Sequence, residues 1–461
     1  MNFIILLGMA AAALALVLLV AWHLAPNGMG RTVFLLVFLG LLSSCLKIFV
    51  FQQAPQWQEV IPDSNYYDLN AHAFASHWSG EAVDAQIYQL RGLLAIRAAD
   101  IHGVEWRPDD ALTYNLVVGS HEWLYAGYVA LWYWLGGATS LIVIWTNALW
   151  AAFLPAAAFG IAYSLGAHRS IALMAAGFTL FDPSLGVNAS WLLKDTLASF
   201  LSMAVLWAIL GYMKIGGKLR CIMAAVMLGM LGGVRFAAFI GLIISTGLIC
   251  AWLVFQKKRL KCGLSIIGVL SCAWLMQGLL AQLPHVPQVG GLDVNIVRLL
   301  SGPVHIFSSG VEVLRATTGN AVDESVLAWK MNLADDPGYA ILQSVAHTLF
   351  APYPWIAVSL GLTWMHPNEL YYPGVLFWIF ALPGIFVAII RGFHKADPVY
   401  WLLLLFLASQ LAAYTIWLGE WSTRQRVFAL PAFFALAAIG WDRLGLWFSN
   451  SRYAKAKSPE V

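Results

Sequence analysis

The chain of 461 residues is 61% apolar and only 11% charged. Soluble globular domains carry about 25% charged residues, so this composition excludes an ordinary soluble protein. Several apolar stretches exceed the ~18 residues that a membrane-spanning helix needs. We therefore predict an all-α fold, a polytopic transmembrane helix bundle, with the lipid bilayer and no nucleic acid as a partner.

Apolar stretches predict about eleven membrane spans. One further stretch, 121–136, is short, contains Glu122 and is rich in Trp and Tyr, which favours an interfacial helix in the headgroup zone. A twelfth span there is the alternative, and it would move the first long loop to the other side of the membrane. The eleven predicted spans are residues 2–23, 31–52, 140–164, 170–190, 196–213, 221–235, 237–256, 263–281, 372–391, 399–418 and 427–447.

Basic short loops orient the chain, because Lys and Arg are enriched in cytoplasmic loops. The loops with this character are 214–220, 256–261, 391–395 and 451–457. Two long loops, 53–120 and 283–371, fall on the opposite face and hold 16 of the 23 acids but only 6 of the 26 bases. The expected location is a bacterial inner membrane, with the N-terminus and both long loops on the periplasmic side.

Three regions follow from this topology. They are an N-terminal membrane module (1–281) with the first outer loop (53–120), a second outer loop (282–371), and C-terminal membrane helices with a short cytoplasmic tail (372–461). Interfacial helices are expected in both outer loops.

The first outer loop opens with the polar stretch PDSNYYDLNAHAFASHW at 62–78. On a helix, Tyr67, Ala71, Phe74 and Trp78 form one narrow apolar stripe, while Asp68 and His72 point elsewhere. The stretch is too polar to span and predicts a helix lying on the outer surface, with its stripe in lipid or against the bundle. Asp63, just after Pro62, is placed at the N-cap. It either caps this helix or serves as a catalytic base.

Further ionisable residues lie at the outer ends of predicted spans, where such groups are expensive and are functional-site hypotheses. They are Asp182, Lys194, Asp195, Arg235, Glu420, Arg424 and Arg426. Snorkelling explains any one arginine alone, but three separated clusters on one face suggest a common pocket. Guanidinium groups bind phosphate, and a nearby carboxylate can take a proton from an attacking hydroxyl. Together these features indicate glycosyl transfer from a polyprenyl-phosphate sugar.

Four stretches resemble the GT-C glycosyltransferases, polytopic enzymes that use lipid-phosphate-linked sugars. The similarity covers residues 53–240 and the last two spans. The matching stretches are PDSNYYDLNAHAFA, the aromatic helix and Asn-containing span at 119–166, LFDPSLGVNASWLLKDTL at 180–197 and STRQRVFALPAFFALAAIG at 422–440. One departure is that the adjacent acid pair many relatives carry in the first loop is here Asp109–Asp110, far downstream.

The resemblance implies an inverting displacement, with Asp63 as the base and Asp68 as the fallback. It implies that Lys194 and Asp195 line the site, Asp195 being the third catalytic carboxylate. The residues implied to hold the donor phosphate are Lys194, Arg235, Arg424 and Arg426. The expected substrate-lining residues are Tyr67, His72, His121, Glu122 and Glu420.

The expected substrates are a polyprenyl-phosphate-linked sugar and a saccharide, lipid or protein acceptor in cell-envelope or exopolysaccharide biosynthesis. No firm cofactor is predicted. A divalent metal is an option for His72, His77, His121 and His366 beside acids, although their spacing favours structural or solvated histidines. The five cysteines show no CxxC spacing and predict no metal site.

Two other functions are alternatives. A lipid-linked polysaccharide polymerase or ligase would also favour outer-face arginines. A transporter or flippase of an anionic lipid is disfavoured, because no internal repeat is found and the ionisable groups cluster at one face.

Overall fold

A computed structural model describes residues 3–53, 62–79, 123–256, 260–280, 335–342, 372–395, 397–412 and 426–456. The secondary structure in these ranges is helical, without a strand, which confirms the predicted all-α class. The helices are α1 (Phe3–Leu24), α2 (Gly30–Gln52), α3 (Pro62–Ser79), α4 (Trp123–Gly136), α5 (Ser140–Ala152), α6 (Leu154–Ser164), α7 (Arg169–Phe181), α8 (Pro183–Ala189), α9 (Asp195–Ile215), α10 (Lys218–Val234), α11 (Phe236–Phe255), α12 (Leu260–Leu280), α13 (Tyr372–Lys395), α14 (Pro398–Ala412) and α15 (Leu430–Ala456).

Among the described residues, 7 helices are long and apolar enough to cross a membrane, or 8 if the bent pair α7–α8 counts as one. The chain is therefore an integral, multi-pass membrane protein. Helices α10, α14 and α15 occupy the other three predicted positions, and they do not meet the same criterion of length and composition. The total of eleven spans stays a prediction.

Helix α9 forms the centre of the bundle. Its apolar window is 94% buried, whereas that of α1 is 17% buried. A helix that is apolar on every side belongs in a protein interior or in lipid. The outward faces of α1 and α2 carry large exposed apolar side chains, as a lipid-facing surface requires.

The predicted span 170–190 is wrong as a single helix, because the chain bends by 50° between α7 and α8. Asp182 stands at the bend with extended backbone, and its carboxylate accepts a hydrogen bond from the Leu185 N–H at 3.2 Å. Pro183 disfavours helical geometry at the residue before it and suits the first turn of a new helix. The Asp-Pro pair therefore ends one helix and starts the next.

The interfacial helices α3 and α4 pack against each other. The stripe residues Tyr67, Ala71 and Phe74 are buried against protein, and Trp78 is 38% exposed. Helix α3 begins at Pro62, so Asp63 lies in its first turn and not at the N-cap as expected. Helix α4 has 14 residues, a length of about 21 Å, which is less than the ~30 Å hydrocarbon core.

Alternating helix directions bring several distant junctions to one end of the bundle. Lys47, near the end of α2, bonds the carbonyl groups of Leu180 and Asp182, and Arg235 between α10 and α11 pairs with Asp195 at the start of α9. Ser199 in α9 donates to the Phe428 carbonyl just before α15 at 2.9 Å. We name this the outer end, following the prediction from loop charge.

Candidate functional site

The outer end gathers ionisable and aromatic side chains into two neighbouring groups. The Lys194 cluster consists of Tyr67, Lys194, Asp195, Arg235 and Phe428. The Asp182 cluster consists of Lys47, Asp182, Trp378 and Arg426. Arg426 and Phe428 are two residues apart in one segment, so the two clusters adjoin.

Lys194 connects the start of α9 to the interfacial helix α3. Its Nζ atom lies 6.0 Å from the centroid of the Tyr67 ring, which is 2% exposed. A cation at about this distance over an aromatic face is attracted by the ring. Lys194 and α3 therefore lie near each other, and a shared site stays a prediction.

Asp195 and Arg235 form a buried ion pair. The residues are 1% and 7% exposed, and the Arg235 guanidinium carbon lies 4.6 Å from the Phe428 ring centroid. Removing one member of such a pair costs about 3–5 kcal/mol, because the other charge stays buried. The predicted catalytic carboxylate and the predicted phosphate ligand thus neutralise each other, and the pair locks α9 to the α10–α11 junction.

The Asp182 cluster joins three further segments. The Lys47 Nζ atom donates to the carbonyl oxygens of Leu180 at 2.8 Å and Asp182 at 2.7 Å. The Arg426 guanidinium carbon lies 4.1 Å from the Trp378 ring centroid, and the Asp182 carboxylate attracts both Lys47 and Arg426. Arg426 is thus buried at the outer end, and its predicted role as a phosphate ligand stays a prediction. Sequence reasoning missed Lys47, although a single lysine inside an apolar span is a signal.

Asp68 is held by a residue of α4 that the sequence did not single out. The Tyr133 hydroxyl donates to Asp68 Oδ1, and His72 Nε2 lies 3.8 Å from the same oxygen. The His72 and Tyr133 ring centroids are 4.4 Å apart. Burial, and then the Asp68 charge, raise the pKa of the Tyr133 phenol well above its ordinary value, so Tyr133 remains a donor. Both Asp68 and His72 stay partly exposed, at 34% and 50% of the side chain.

Several predicted residues lie outside the described part of the chain. They are His121, Glu122, Glu420, Arg424 and His366, together with the side chains of Asp63 and His77. Position 63 is one helical turn before Tyr67, so the two positions share a face of α3 by register. In the described ranges, no three His, Cys, Asp or Glu side chains meet in a metal-binding group. The metal option therefore stays a prediction about the other residues.

Comparisons with known proteins find remote structural likeness. No family model and no curated protein matches the chain. A crystal structure of the Archaeoglobus fulgidus oligosaccharyltransferase with zinc and sulfate aligns with a TM-score of 0.39 and 14% identity, over 73% of this chain and 43% of that one. The apo form of the same enzyme aligns with a TM-score of 0.40 and 12% identity, over 81% of this chain and 52% of that one. The chain thus spans about half the length of that oligosaccharyltransferase, and likeness at this level assigns neither a family nor an activity.

Proposed function

We propose that the chain is a GT-C type membrane glycosyltransferase. It moves a sugar from a polyprenyl-phosphate-linked donor to a hydroxyl acceptor at the outer, periplasmic face of a bacterial inner membrane, in cell-envelope or polysaccharide biosynthesis. A lipid-linked polysaccharide polymerase or ligase is the nearest alternative, since it uses the same phosphate chemistry with a larger donor.

The observation that carries the proposal is the convergence of cations at the outer end. Lys47, Lys194, Arg235 and Arg426 come from four separate segments, and Lys194 lies over Tyr67 of α3, the helix that carries Asp63 and Asp68. Packing alone does not require charges at such depth, and their usual role is functional. A phosphate at headgroup level is a ligand that this arrangement suits.

In the proposed reaction, Asp63 accepts the proton of the acceptor hydroxyl, with Asp68 as the fallback. The acceptor oxygen forms a bond to the anomeric carbon, while the bond from that carbon to the phosphate oxygen breaks. The polyprenyl phosphate leaves with the electron pair, and its negative charge is stabilised by the cations. A well-placed donor to such a developing charge contributes about 3–4 kcal/mol.

The cations are assigned unequal shares in this proposal. Arg235 already faces Asp195, so its main role is to hold α9 and the α10–α11 junction in place. Lys194 lies over Tyr67 next to α3, which suits contact with the reacting sugar phosphate. Arg426 and the preceding Arg424 supply the remaining phosphate contacts from the segment before α15.

The test uses purified protein in lipid nanodiscs, undecaprenyl phosphate as the binding probe and radiolabelled undecaprenyl-phosphate monosaccharides as donors. Acceptors come from a total membrane extract. Asp63→Asn is expected to bind the probe normally and to abolish transfer. Arg424→Ala is expected to weaken probe binding about tenfold or more, as loss of a charged hydrogen bond does.

Two controls match these variants in chemistry and lie at the opposite end of the bundle. Asp397→Asn and Arg391→Ala change an acid and an arginine near the cytoplasmic ends of α13 and α14. Both should retain transfer and probe binding. Transfer by Asp63→Asn at the wild-type rate removes Asp63 as the base, and unchanged probe affinity of Arg424→Ala contradicts the phosphate assignment.

A further inference from the structure

Asn147 is a polar residue in the interior of the bundle that the proposed chemistry does not use. It lies in α5 and is 0% exposed. Its Nδ2 group donates to the carbonyl oxygens of Ala189 at 3.2 Å and Trp191 at 2.8 Å. One amide group from α5 thus holds two backbone positions of the segment that runs from α8 to α9.

The Ala189 carbonyl group needs a donor because the helix ends there. Ala189 is the last residue of α8, and the carbonyl groups of a last helical turn have no partner within the helix. The segment 189–193 is buried, and an unpaired polar group in such a place costs about 1–3 kcal/mol. The NH₂ group of Asn has two N–H bonds and can serve both carbonyls at once.

The other half of the Asn147 amide faces α4. Among the described residues, Asn147 Oδ1 and the Tyr125 hydroxyl are both buried without a hydrogen-bond partner. Hydrogen bonds beside Asn147 nevertheless join α5 to α4. The Tyr128 hydroxyl of α4 lies 2.6 Å from Oγ1 of Thr146, the residue before Asn147, and it accepts from the Trp150 indole at 3.1 Å.

Further contacts connect α4 to the Lys194 cluster and, through it, to the segment that Asn147 holds. The Tyr125 ring packs edge-on against the Tyr67 ring of α3, with centroids 4.9 Å apart, and Tyr67 lies under Lys194. Lys194 is three residues after Trp191, whose carbonyl also accepts from the Leu193 N–H at 2.8 Å. The backbone from Lys194 to Trp191 therefore connects this cluster to the Asn147 side chain.

We propose that Asn147 is a positioning residue. It holds the segment 189–195, which we name the Lys194–Asp195 corner, at a fixed distance from the interfacial helices α3 and α4. The inference rests on the proposed function for its catalytic meaning, because α3 carries the acids and the corner carries the cation. It goes beyond that function because it assigns to one buried amide group the relative position of α3 and the Lys194–Asp195 corner. Misplacement by about 1 Å lowers the rate of a reaction by as much as 10²-fold.

The first experiment measures hydrogen–deuterium exchange by mass spectrometry on protein in nanodiscs, and it needs no activity. Asn147→Leu keeps the size of the side chain and removes its donors. Backbone amides of 189–195 should exchange at least about tenfold faster, because one hydrogen bond per carbonyl is lost. Tyr125→Phe keeps the bonds from Asn147 and the ring contact with Tyr67, so it should leave exchange at 189–195 unchanged.

Tyr400→Phe is the matched control for stability. The Tyr400 hydroxyl donates to the Ala388 carbonyl at 2.9 Å and joins α14 to α13 far from the corner. This variant should lower the melting temperature and leave exchange at 189–195 as in the wild type. Asn147→Ser, which keeps one donor, is used if Asn147→Leu does not fold, and it should give intermediate exchange. If a folded Asn147 variant exchanges its amides at 189–195 at the wild-type rate, the proposal is wrong.

The second experiment measures transfer per folded molecule with the donors described above. Asn147→Leu should lower kcat by about 10²-fold and change the donor KM by less than about threefold, because Arg424 and Arg426 lie on another segment. A residue that only supports folding, as we expect of Tyr400, would lower the yield of folded protein when substituted, but it would not lower kcat while KM stays unchanged. If wild-type protein transfers no sugar, the proposed function fails, while the exchange experiment still decides whether Asn147 holds the corner.

Discussion

At the scale of single residues, the outer end consists mainly of polar groups that hold one another. Asp195 faces Arg235, Lys47 bonds two backbone carbonyls, and Asp68 receives a hydrogen bond from Tyr133. Asp68 differs from the first two because a third of its side chain is exposed, so a substrate can reach it. Tyr133 orients the carboxylate through its hydrogen bond to Oδ1.

Tyr133→Phe tests this orientation. The substitution removes the donor to Asp68 and keeps the ring that packs on His72. Loss of a hydrogen bond to a charged group is worth about 1.5–3 kcal/mol, so kcat/KM should fall about tenfold to a hundredfold. The measurement is the initial rate of sugar transfer in nanodiscs.

Tyr128→Phe is the control on the same helix. The Tyr128 hydroxyl is 2.6 Å from Thr146 Oγ1 and accepts from the Trp150 indole, away from Asp68. This variant should keep the wild-type rate after correction for the amount of folded protein. Equal losses in both variants would mean that α4 supports folding only, and that Tyr133 has no share in the reaction.

At the scale of helices, the break between α7 and α8 positions the site. It turns the chain by 50° before the Lys194–Asp195 corner is reached. Lys47 stabilises the break by bonding two carbonyls at the end of α7, one of which also accepts from Ser43 Oγ at 2.8 Å. Discontinuous helices are common in transporters as well, but here the break lies at the outer end and adjoins the cation clusters.

Lys47→Met tests the role of this lysine in the break. The Asp182 carbonyl would lose the bond from Lys47, whereas the Leu180 carbonyl would keep Ser43. We expect a loss of about 1–3 kcal/mol in stability for the unpaired carbonyl, read as a lower melting temperature. We also expect faster amide exchange over 180–186.

Lys214→Met is the corresponding change at the opposite end of the bundle. Lys214 Nζ bonds the Ser164 carbonyl at 2.9 Å, but Lys214 is exposed, so water can replace it. This variant should melt within about a degree or two of the wild type, as most surface changes do. If the Lys47→Met and Lys214→Met proteins have the same melting temperature, the break is stable without Lys47.

At the scale of the whole molecule, membrane sidedness decides whether the clusters face the periplasm. The loop charges predict that α3 lies outside and that the α1–α2 turn lies in the cytoplasm. Reading 121–136 as a span exchanges those two positions and leaves the loop after α9 inside. The first two positions therefore separate eleven spans from twelve, and the loop after α9 serves as a reference.

Single-cysteine labelling reads these positions directly. In a protein whose five native cysteines, all free, are replaced by alanine, cysteine is placed at Ser79, Asn27 or Lys218. In intact spheroplasts, a membrane-impermeant thiol reagent should label the Ser79 variant alone. The Asn27 and Lys218 variants should react only after permeabilisation. Labelling of Asn27 from outside, with Ser79 protected, would put the first long loop in the cytoplasm and contradict a periplasmic site.

The sequence by itself determined the class of protein and the approximate positions of most helices, although it missed the breaks after Ala152 and Phe181. Which side of the membrane each junction faces stays a prediction. These properties depend on the bilayer, which requires long apolar helices, and on short basic loops. The spacing of three and four residues also predicted the aromatic stripe of α3. Tyr67 is buried as that stripe predicts, and it contacts Lys194, a residue expected on the same face.

Only the tertiary structure decided which polar groups meet. Asp195 and Arg235 were both expected to face a substrate, yet they face each other, and Lys47, Tyr133 and Asn147 make contacts that the sequence analysis did not predict. The physical reason lies in helices such as α9, which are apolar on every side. Their sequences carry no amphipathic face that would set their rotation or their neighbours. Lateral packing of the helices sets both, and with them the pairing of every buried charge and amide.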